Sequence, residues 1–420
     1  MHVLISFVLV LLTSTANGEP LPSPLPLSWC LDRAALQNPS IALDQAQRDA
    51  ARERISPAGA LEDPRLGYEA SNIPTGAWNF DSTPLSGHQF GLRQHVPFPG
   101  VLSNREAAAR AGAEAAAFAL EDRELSVTSA VEAAWAELGF AQRALRITER
   151  NIGFLRQLVR IAEAKYRVGT GLQQDVFRAQ VELTALLNEK LSRDAAIERA
   201  SARLSALLDL PSNTILPETE ELGDDSILPN LSELMASLEA RNPRLHSLKA
   251  AVEEAERLVR VARLEGYPDF DFGLGYRLRQ RVADDPVDGD DFISAGVTIR
   301  LPVNRSKWNA KLAERGALLR RQEAAYRGAR ASLLEALRSA HAELARADSE
   351  AALLRTGLVP QARQSLDSSR SGYEVGRIDF LSLLDSQVRS LNAELRLVRA
   401  EADRRQAYAA VETAAGESLR

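Results

Sequence analysis

The sequence is poor in the residues that usually mark a catalytic site, a metal site or a disulfide-stabilised domain. It has one cysteine, two methionines and only 5% aromatic residues in 420. A single cysteine cannot form an internal disulfide, and the five histidines share no spacing typical of metal ligands. No phosphate-binding loop or nucleophile motif is present. We therefore expect no enzymatic activity, no cofactor and no resident metal.

Charge of one sign is not concentrated in any segment. The formal net charge is −6, and charged residues of both signs are spread along the chain. This distribution gives no electrostatic footprint for nucleic acid, so we expect no nucleic-acid partner.

Long hydrophobic runs are also missing. The apolar run over residues 3–12 is too short to span a bilayer, which takes about twenty residues. Small residues follow it, so residues 1–18 are predicted to be a signal peptide cleaved before Glu19. A short N-terminal membrane anchor is the alternative. The mature chain is therefore expected to be periplasmic, secreted or held in a membrane by strands.

The one cysteine, Cys30, lies beyond this export segment. Lipidation there is conceivable, but bulky Trp29 is a poor neighbour for a modified cysteine. The sequence favours a helix that Ser28 caps, with Cys30 in its first turn.

The strongest pattern is an internal duplication, because four short motifs recur in one order at offsets of 204 to 207 residues. We predict a first repeat over residues 19–210, a linker at 211–229 and a second repeat at 230–420. The motif pairs are Asn38-Pro39 with Asn242-Pro243, Pro64 with Pro268, Val96-Pro97 with Leu301-Pro302, and Tyr166–Gly169 with Tyr373–Gly376.

Each repeat is predicted to contain a helix, a strand pair and a long helical hairpin. The strand pairs fall at residues 63–99 and 267–302. The predicted helices cover residues 28–56, 102–167, 173–209, 230–265, 306–374 and 380–417.

The long helices carry apolar residues at alternating spacings of three and four, which is typical of supercoiled helices packed side by side. A helix of some 65 residues is about 100 Å long, more than a globular core requires. Pro360 is expected to kink the second long helix one or two turns from its tip. These rows of residues, here called seams, are Leu138, Ala141, Leu145, Thr148, Ile152, Leu155, Val159, Ala162 and Tyr166 in the first long helix, and Leu337, Ala340, Leu344, Ala347, Ala351, Leu354 and Leu358 in the second.

The predicted strands alternate apolar and polar residues, most clearly over residues 269–279 and 293–301. A membrane β-barrel and a soluble sheet with one buried face both give this pattern. The export signal and the adjoining long helices favour the membrane. Four strands cannot close, so copies must combine: two copies give eight strands, and three give twelve with more room inside.

The order of elements, taken twice, resembles the TolC-type outer-membrane efflux proteins over essentially the whole mature chain. The segments Asp63–Tyr68 and Arg93–Gly100 look most like the heavy-metal, CzcC-like branch. The resemblance implies a mainly α fold with a membrane β-barrel, in which three subunits form a twelve-stranded transmembrane barrel and a periplasmic α-barrel tunnel.

The same resemblance implies function and partners. It suggests a passive duct in the outer membrane, in contact with its lipid, that exports heavy-metal cations or small toxic compounds. The implied partners are a periplasmic adaptor protein and an inner-membrane pump, which we expect to be proton-driven. A drug-efflux or type I secretion duct of the same architecture is an alternative, and a periplasmic coiled-coil structural protein is an alternative of another class.

The turn between the two long helices of each repeat, at residues 166–172 and 373–379, is here called a tip turn, and these two turns carry the most specific motifs. In one interpretation each motif is a plain turn, in which glycine adopts the left-handed backbone that ends a helix. In the other, the apolar residues beside the glycine form a surface that docks the adaptor. The predicted docking residues are Val168, Gly169, Thr170, Gly171, Leu172, Val375, Gly376, Ile378 and Asp379.

An entrance gate is implied just beyond these tips, where the resembled channels carry acidic residues six and nine positions after the tip glycine. Like carboxylates around a narrow bore repel one another and attract cations. The alternative is solvated surface charge or helix capping, which Asp175 and Asp379 could supply. The predicted gate residues are Asp175, Ser382 and Asp385, with Tyr373 and Arg377 bracing the closed state.

Overall fold

The computed structural model describes residues 21–76, 78–81, 83–221, 228–283 and 285–419. The predicted signal peptide and residues 222–227 of the predicted linker lie outside the described residues. Within the described ranges, no helix combines the length and hydrophobicity needed to cross a bilayer.

The chain is mainly helical and contains four strands, and the order of its elements repeats. The first series is α1 (Leu27–Gln37), α2 (Pro39–Glu53), α3 (Ile55–Gly59), β1 (Arg65–Ser71), β2 (Gly87–Val96), α4 (Val101–Arg167) and α5 (Gln173–Leu207). The second is α6 (Leu231–Arg241), α7 (Pro243–Leu264), β3 (Asp269–Leu278), β4 (Phe292–Arg300), α8 (Arg305–Leu353), a π-helical segment (Leu354–Leu358), α9 (Val359–Glu374) and α10 (Phe380–Ala415).

The recurring Asn-Pro motifs end helices, which corrects the single helices predicted over residues 28–56 and 230–265. Asn38 and Asn242 both have extended backbones, with ψ of 122° and 116°, because a residue before proline disfavours the helical conformation. The Asn242 side chain then caps α7 by accepting the Leu245 N–H at 3.2 Å. Proline at the first helical position is itself favourable.

The Cys30 segment is part of the folded core. Helix α1 begins at Leu27 with Pro26 at its N-cap, so the prediction that Ser28 caps it is wrong. Cys30 is fully buried, and burial raises the pKa of its thiol to about 12. Upstream, Leu25 donates its N–H to Glu218 O at 2.7 Å and accepts the Trp135 indole N–H at 3.1 Å. A buried, protonated thiol is a poor nucleophile, and Cys30 serves as a packing residue.

The chain folds as two compact units, each of which takes segments from both predicted repeats. The first, here called the helical unit, contains the chain up to Asn38, Thr128–Ile227 and Glu343–Ala409. The second, the sheet unit, contains Pro39–Val127, Leu228–Ala342 and Ala410–Arg420.

The helical unit is built on the predicted seams. Leu138, Ala141, Leu155 and Ala162 of α4 are almost fully buried, as the three-four spacing requires, whereas Tyr166 at the end of that seam is exposed. A cluster of apolar residues from α4, α5, α9 and α10 forms the core near the tip turns.

The π-helical segment shifts the seam of the second long helix by one residue. The Val359 N–H bonds to Leu354 O, five residues back, and the buried position after Leu354 is Val359, so that Leu358 of the predicted seam is exposed. Pro360, which has no N–H to donate, follows directly. The 16 residues of α9 separate this break from the tip, so it lies about four turns away and not one or two.

The sheet unit contains one antiparallel sheet in the order β1-β2-β3-β4, in which the two predicted hairpins pair through β2 and β3. Cross-strand pairs such as Leu92 with Leu274 and Tyr276 with Ile293 place the apolar residues on one face. That face is exposed: Leu66 is 77% and Ile293 80% accessible. The opposite face carries arginine, aspartate, serine and glycine. The predicted alternation is confirmed, although His88 and Gln94 fall on the apolar face and Phe292 falls on the polar face.

Candidate entrance and docking site

Both tip turns of the helical unit adopt the same backbone, in which two hydrogen bonds close the end of a long helix. In the first turn, Thr170 N–H bonds to Lys165 O at 2.9 Å and Gly169 N–H to Tyr166 O at 3.0 Å. In the second, the bonds run from Arg377 to Gly372 at 2.8 Å and from Gly376 to Tyr373 at 3.2 Å. This pair of bonds defines a Schellman motif.

The two tip glycines are required for their backbone angles and not for lack of space. Gly169 and Gly376 have φ of 76° and 73°, a region that costs other residues energy. A Cβ on either would meet nothing within 4 Å. Gly171 differs, because a Cβ there would lie only 2.9 Å from the Cβ of Lys165.

The tips expose much of the predicted docking surface. Val168, Leu172 and Val375 are 73%, 66% and 69% accessible. Ile378 differs, since it is partly buried against the core cluster. Exposed apolar residues at a turn favour contact with another molecule.

Asp379 caps the helix that follows the second tip. Its carboxylate accepts the Ser382 N–H at 3.2 Å, and hydrogen bonds from the Ser382 side chain and backbone lower the pKa of Asp379. In α5 the N-cap position is Leu172, and Asp175 lies in the first turn, where a negative charge interacts favourably with the helix dipole. Capping therefore accounts for Asp379, and the helix dipole alone can account for Asp175.

Tyr373 joins the two tips. Its ring is buried edge-on against Phe380, with ring centroids 5.7 Å apart. Lys165 of the first tip places its Nζ 3.8 Å from the centroid of this ring and donates a hydrogen bond to Tyr373 O at 3.0 Å. Burial and the nearby Asp175 carboxylate raise the pKa of Tyr373. The predicted gate residues Tyr373 and Asp175 therefore lie close together.

Asp385 is at the surface of α10, where it forms an ion pair with Arg389 at 2.7 Å. Both side chains are more than half exposed, so the pair contributes little to stability. Ser382 and Arg377 are exposed as well. Counting from the tip glycines, Asp385 corresponds to Arg178 and Ser382 to Asp175, so the two halves present different charges at equivalent positions.

Two polar contacts behind the tips were not predicted from the sequence. Buried Gln387 donates its side-chain N–H to Asn151, which joins α10 to α4 inside an apolar cluster. Glu394 of α10 is an ion-pair partner for both Arg363 of α9, at 2.8 Å, and Arg150 of α4. Glutamine recurs at the equivalent positions 180 and 387 of the two repeats, which is a weak sequence signal for the first contact. No sequence pattern indicates the second.

No group of three or more His, Cys, Asp or Glu side chains in the described ranges has the arrangement of a metal site. The candidate site is thus a surface with a few charged and apolar side chains on a rigid helical support.

Paired long helices together with an amphipathic, incomplete antiparallel sheet are the parts of a transmembrane duct wall. The sequence profile described as outer membrane efflux protein matches residues 30–209 and 234–417. The chain therefore belongs to the outer membrane efflux protein family, and it is an outer-membrane protein with a long periplasmic extension.

Individual relatives agree with this assignment. The cobalt-zinc-cadmium resistance protein CzcC of Cupriavidus metallidurans is 24% identical over 89% of this chain and 85% of its own length. The crystal structure of CusC has a TM-score of 0.79 at 16% identity, covering 93% of this chain and 92% of the other. The outer membrane protein VceC of Vibrio cholerae has a TM-score of 0.77 at 17% identity, covering 94% and 97%. At these identities the solved structures show a shared fold.

Replacing a tip glycine should have the opposite effect to replacing a helical one. Gly376→Ala should lower stability by about 1 kcal/mol, because alanine disfavours positive φ. Gly153→Ala, in the interior of α4 with open space around its Cα, should raise stability by up to about 1 kcal/mol through helix propensity. Thermal unfolding of both purified variants, followed by helical circular dichroism in detergent, measures the difference. Equal shifts would show that the tip backbone does not depend on glycine.

Proposed function

We propose that three copies of this chain form a passive export duct through the outer membrane, which serves heavy-metal cations. The observation that carries this proposal is the sheet: four strands with one exposed apolar face, one polar face and an unpaired outer edge on both β1 and β4 within the described residues.

Lipid contact explains the apolar face, and hydrogen bonding explains the oligomer. Unpaired backbone groups in hydrocarbon cost several kcal/mol each, so a spanning sheet must close on itself. Three copies supply twelve strands, enough for an interior wider than side chains alone would fill. The glycine and charged residues of the polar face are compatible with a water-filled lumen.

The cargo assignment rests on the relative whose name includes cobalt, zinc and cadmium resistance, which aligns with 89% of the chain. Carboxylates near the tips support it, because Asp175 and Asp385 would attract cations to the entrance. In this proposal three copies of each carboxylate surround the bore, and their mutual repulsion is relieved when the entrance opens. Tyr373 and Arg377 brace the closed state, with Ser382 at the remaining position of the ring.

The partners follow from the tips and from the passive character of the duct. Val168, Leu172 and Val375 form the exposed part of a surface that docks a periplasmic adaptor protein, together with the backbone of Gly169 to Gly171 and of Gly376. Energy comes from an inner-membrane pump, which is proton-driven.

The purified mature chain should migrate as a heat-sensitive trimer from outer-membrane fractions and conduct ions in planar bilayers. Native mass spectrometry in detergent gives the number of subunits, and bilayer currents show the pore. A stable monomer that is soluble without detergent would contradict the duct.

Asp385→Asn should lower the cation selectivity of the single channel, because it removes one negative charge per subunit from the entrance. The matched control is Asp194→Asn, which removes an exposed, lysine-paired aspartate further along α5. Single-channel recording compares both variants with the wild type. If Asp385→Asn behaves like the control, Asp385 has no part in the gate.

Val168→Asp and Val375→Asp should abolish export while trimers still form, since a charge at an exposed apolar contact disrupts docking and not folding. Ile215→Asp is the matched control, because Ile215 is 91% accessible and lies in the linker away from the turns. Metal tolerance of cells that carry each variant reports export, and detergent chromatography reports assembly. Normal tolerance in both tip variants would remove the tips from adaptor docking.

A further inference from the structure

One edge of the sheet continues directly into the long helices. Strands β1 and β3 begin at this edge, β2 and β4 end at it, and α4 and α8 start a few residues beyond it. A cavity of about 720 Å³ lies here, between the end of α7, the start of β3 and the start of α8. All of its lining residues belong to the sheet unit, and among them are two arginines and no acidic residue.

The chain around this cavity carries more positive than negative charge. The two segments that line it, residues 261–269 and 300–312, contain five basic residues and two acidic ones. Both acidic residues already have basic partners, which are Arg105 and Lys311 for Glu265, and Arg300 for Asp269. Three basic residues of the two segments are therefore left without a carboxylate.

These three are Arg263, Arg305 and Lys307, all of them exposed and without an ion pair among the described residues. Arg263 lies in the last turn of α7, where a positive charge interacts favourably with the helix dipole. Arg305 and Lys307 lie in the first turn of α8, which has no acidic residue, and there the dipole disfavours them. Local helix electrostatics therefore leaves two of the three cations without an explanation.

Aromatic and apolar side chains surround the same cavity. Trp308 and Tyr267 line it, and the Nζ of Lys307 lies 4.9 Å from the centroid of the Trp308 ring. Leu301 and Val303 also line it and are 62% and 82% accessible. Tryptophan and tyrosine are enriched where membrane proteins meet lipid head groups. The cavity thus combines unpaired cations with the side chains typical of a membrane interface.

We propose that Arg263, Arg305 and Lys307 bind the phosphate of an anionic phospholipid in the leaflet that faces the periplasm. The inference rests on the proposed membrane position of the sheet, which places this edge at the membrane surface. Guanidinium and ammonium groups form strong, charge-assisted hydrogen bonds with phosphate, and basic pockets of membrane proteins bind anionic head groups.

The apolar part of the cavity favours a lipid over a free phosphate ion. Leu301 and Val303 contact the first methylenes of the acyl chains, while Trp308 and Tyr267 lie at the level of the head group. Interfacial aromatic and basic residues fix the depth of a membrane protein. The bound lipid therefore neutralises the three cations and holds this end of the sheet at the membrane surface.

The test is quenching of tryptophan fluorescence by brominated lipid in the full-length protein, reconstituted in phosphatidylcholine vesicles. Trp308 is one of four tryptophans, so the difference from Trp308→Phe isolates its signal. Brominated phosphatidylglycerol should quench this signal at about tenfold lower mole fraction than brominated phosphatidylcholine. Arg305→Gln combined with Lys307→Gln should remove that preference, and Arg305→Lys, which keeps the charge, should retain it.

The matched control is Arg320→Gln combined with Arg321→Gln, which removes two exposed arginines about four turns further along α8. This control should keep the wild-type preference. If the double variant at the cavity does not assemble, Arg263→Gln removes one of the same cations from α7, and the preference should fall about threefold.

Inserted protein that shows no preference for phosphatidylglycerol, or the same preference in the cavity variants as in the wild type, would overturn this inference alone. Loss of the preference on adding inorganic phosphate at the concentration of the lipid would overturn the lipid as the occupant. A wild-type chain that does not insert into vesicles would overturn the proposed duct, and the lipid site with it.

Discussion

The constraint on which the rest of the structure depends is the hydrogen bonding of the two outer strands. Strands β1 and β4 each offer one edge of backbone donors and acceptors that nothing in the described chain pairs. In water such edges would be solvated, but beside lipid they are costly enough to exclude an open sheet. The exposed apolar face makes lipid the appropriate environment for this sheet. A single chain therefore leaves two sheet edges unpaired, and this is the physical ground for the oligomer proposed above.

The repeated order of elements gives the chain two tip turns with the same backbone but different side-chain charges at equivalent positions. The two tips share their hydrogen bonds and positive φ angles. They do so because this way of ending a helix depends on a glycine backbone and not on the neighbouring side chains. Side chains are free to differ around that backbone. Asp379 caps α10, whereas Leu172 occupies the N-cap of α5, and Asp385 stands where the first tip has Arg178. The repeated backbone thus carries two different sets of charges.

Features with a local cause could be predicted from the sequence, and those set by tertiary packing could not. The seam from Leu138 to Ala162, the strand alternation and the tip glycines follow from periodicity and backbone preference, and the structure contains them. Periodicity does not predict the helix break at Asn38, because the helical pattern continues on both sides of the Asn-Pro motif. The π-helical segment moves the seam from Leu358 to Val359, a one-residue insertion that composition does not reveal.

The candidate sites divide in the same way. The tip turns could be predicted because a glycine that ends a helical pattern is recognisable in the sequence. The contact of Lys165 with Tyr373 joins segments 208 positions apart and needed the fold. The position of Arg65 opposite Arg93 depends on register, since a shift of one residue would send one arginine to the lipid face.

The strand register also explains why Arg65 and Arg93 both lie on the polar face of the sheet. A basic residue on the lipid face would be expelled by the cost of burying charge in hydrocarbon, so the polar face is the only one of the two that tolerates it. On that face the simplest arrangement would be an acid opposite each arginine, as Arg300 has in Asp269 and Asp271. The strand from Gly87 to Val96 contains no acidic residue at all. Its one arginine, Arg93, therefore has carboxylates on the same face only in the two neighbouring strands: Glu69 of β1, and Asp269 and Asp271 of β3.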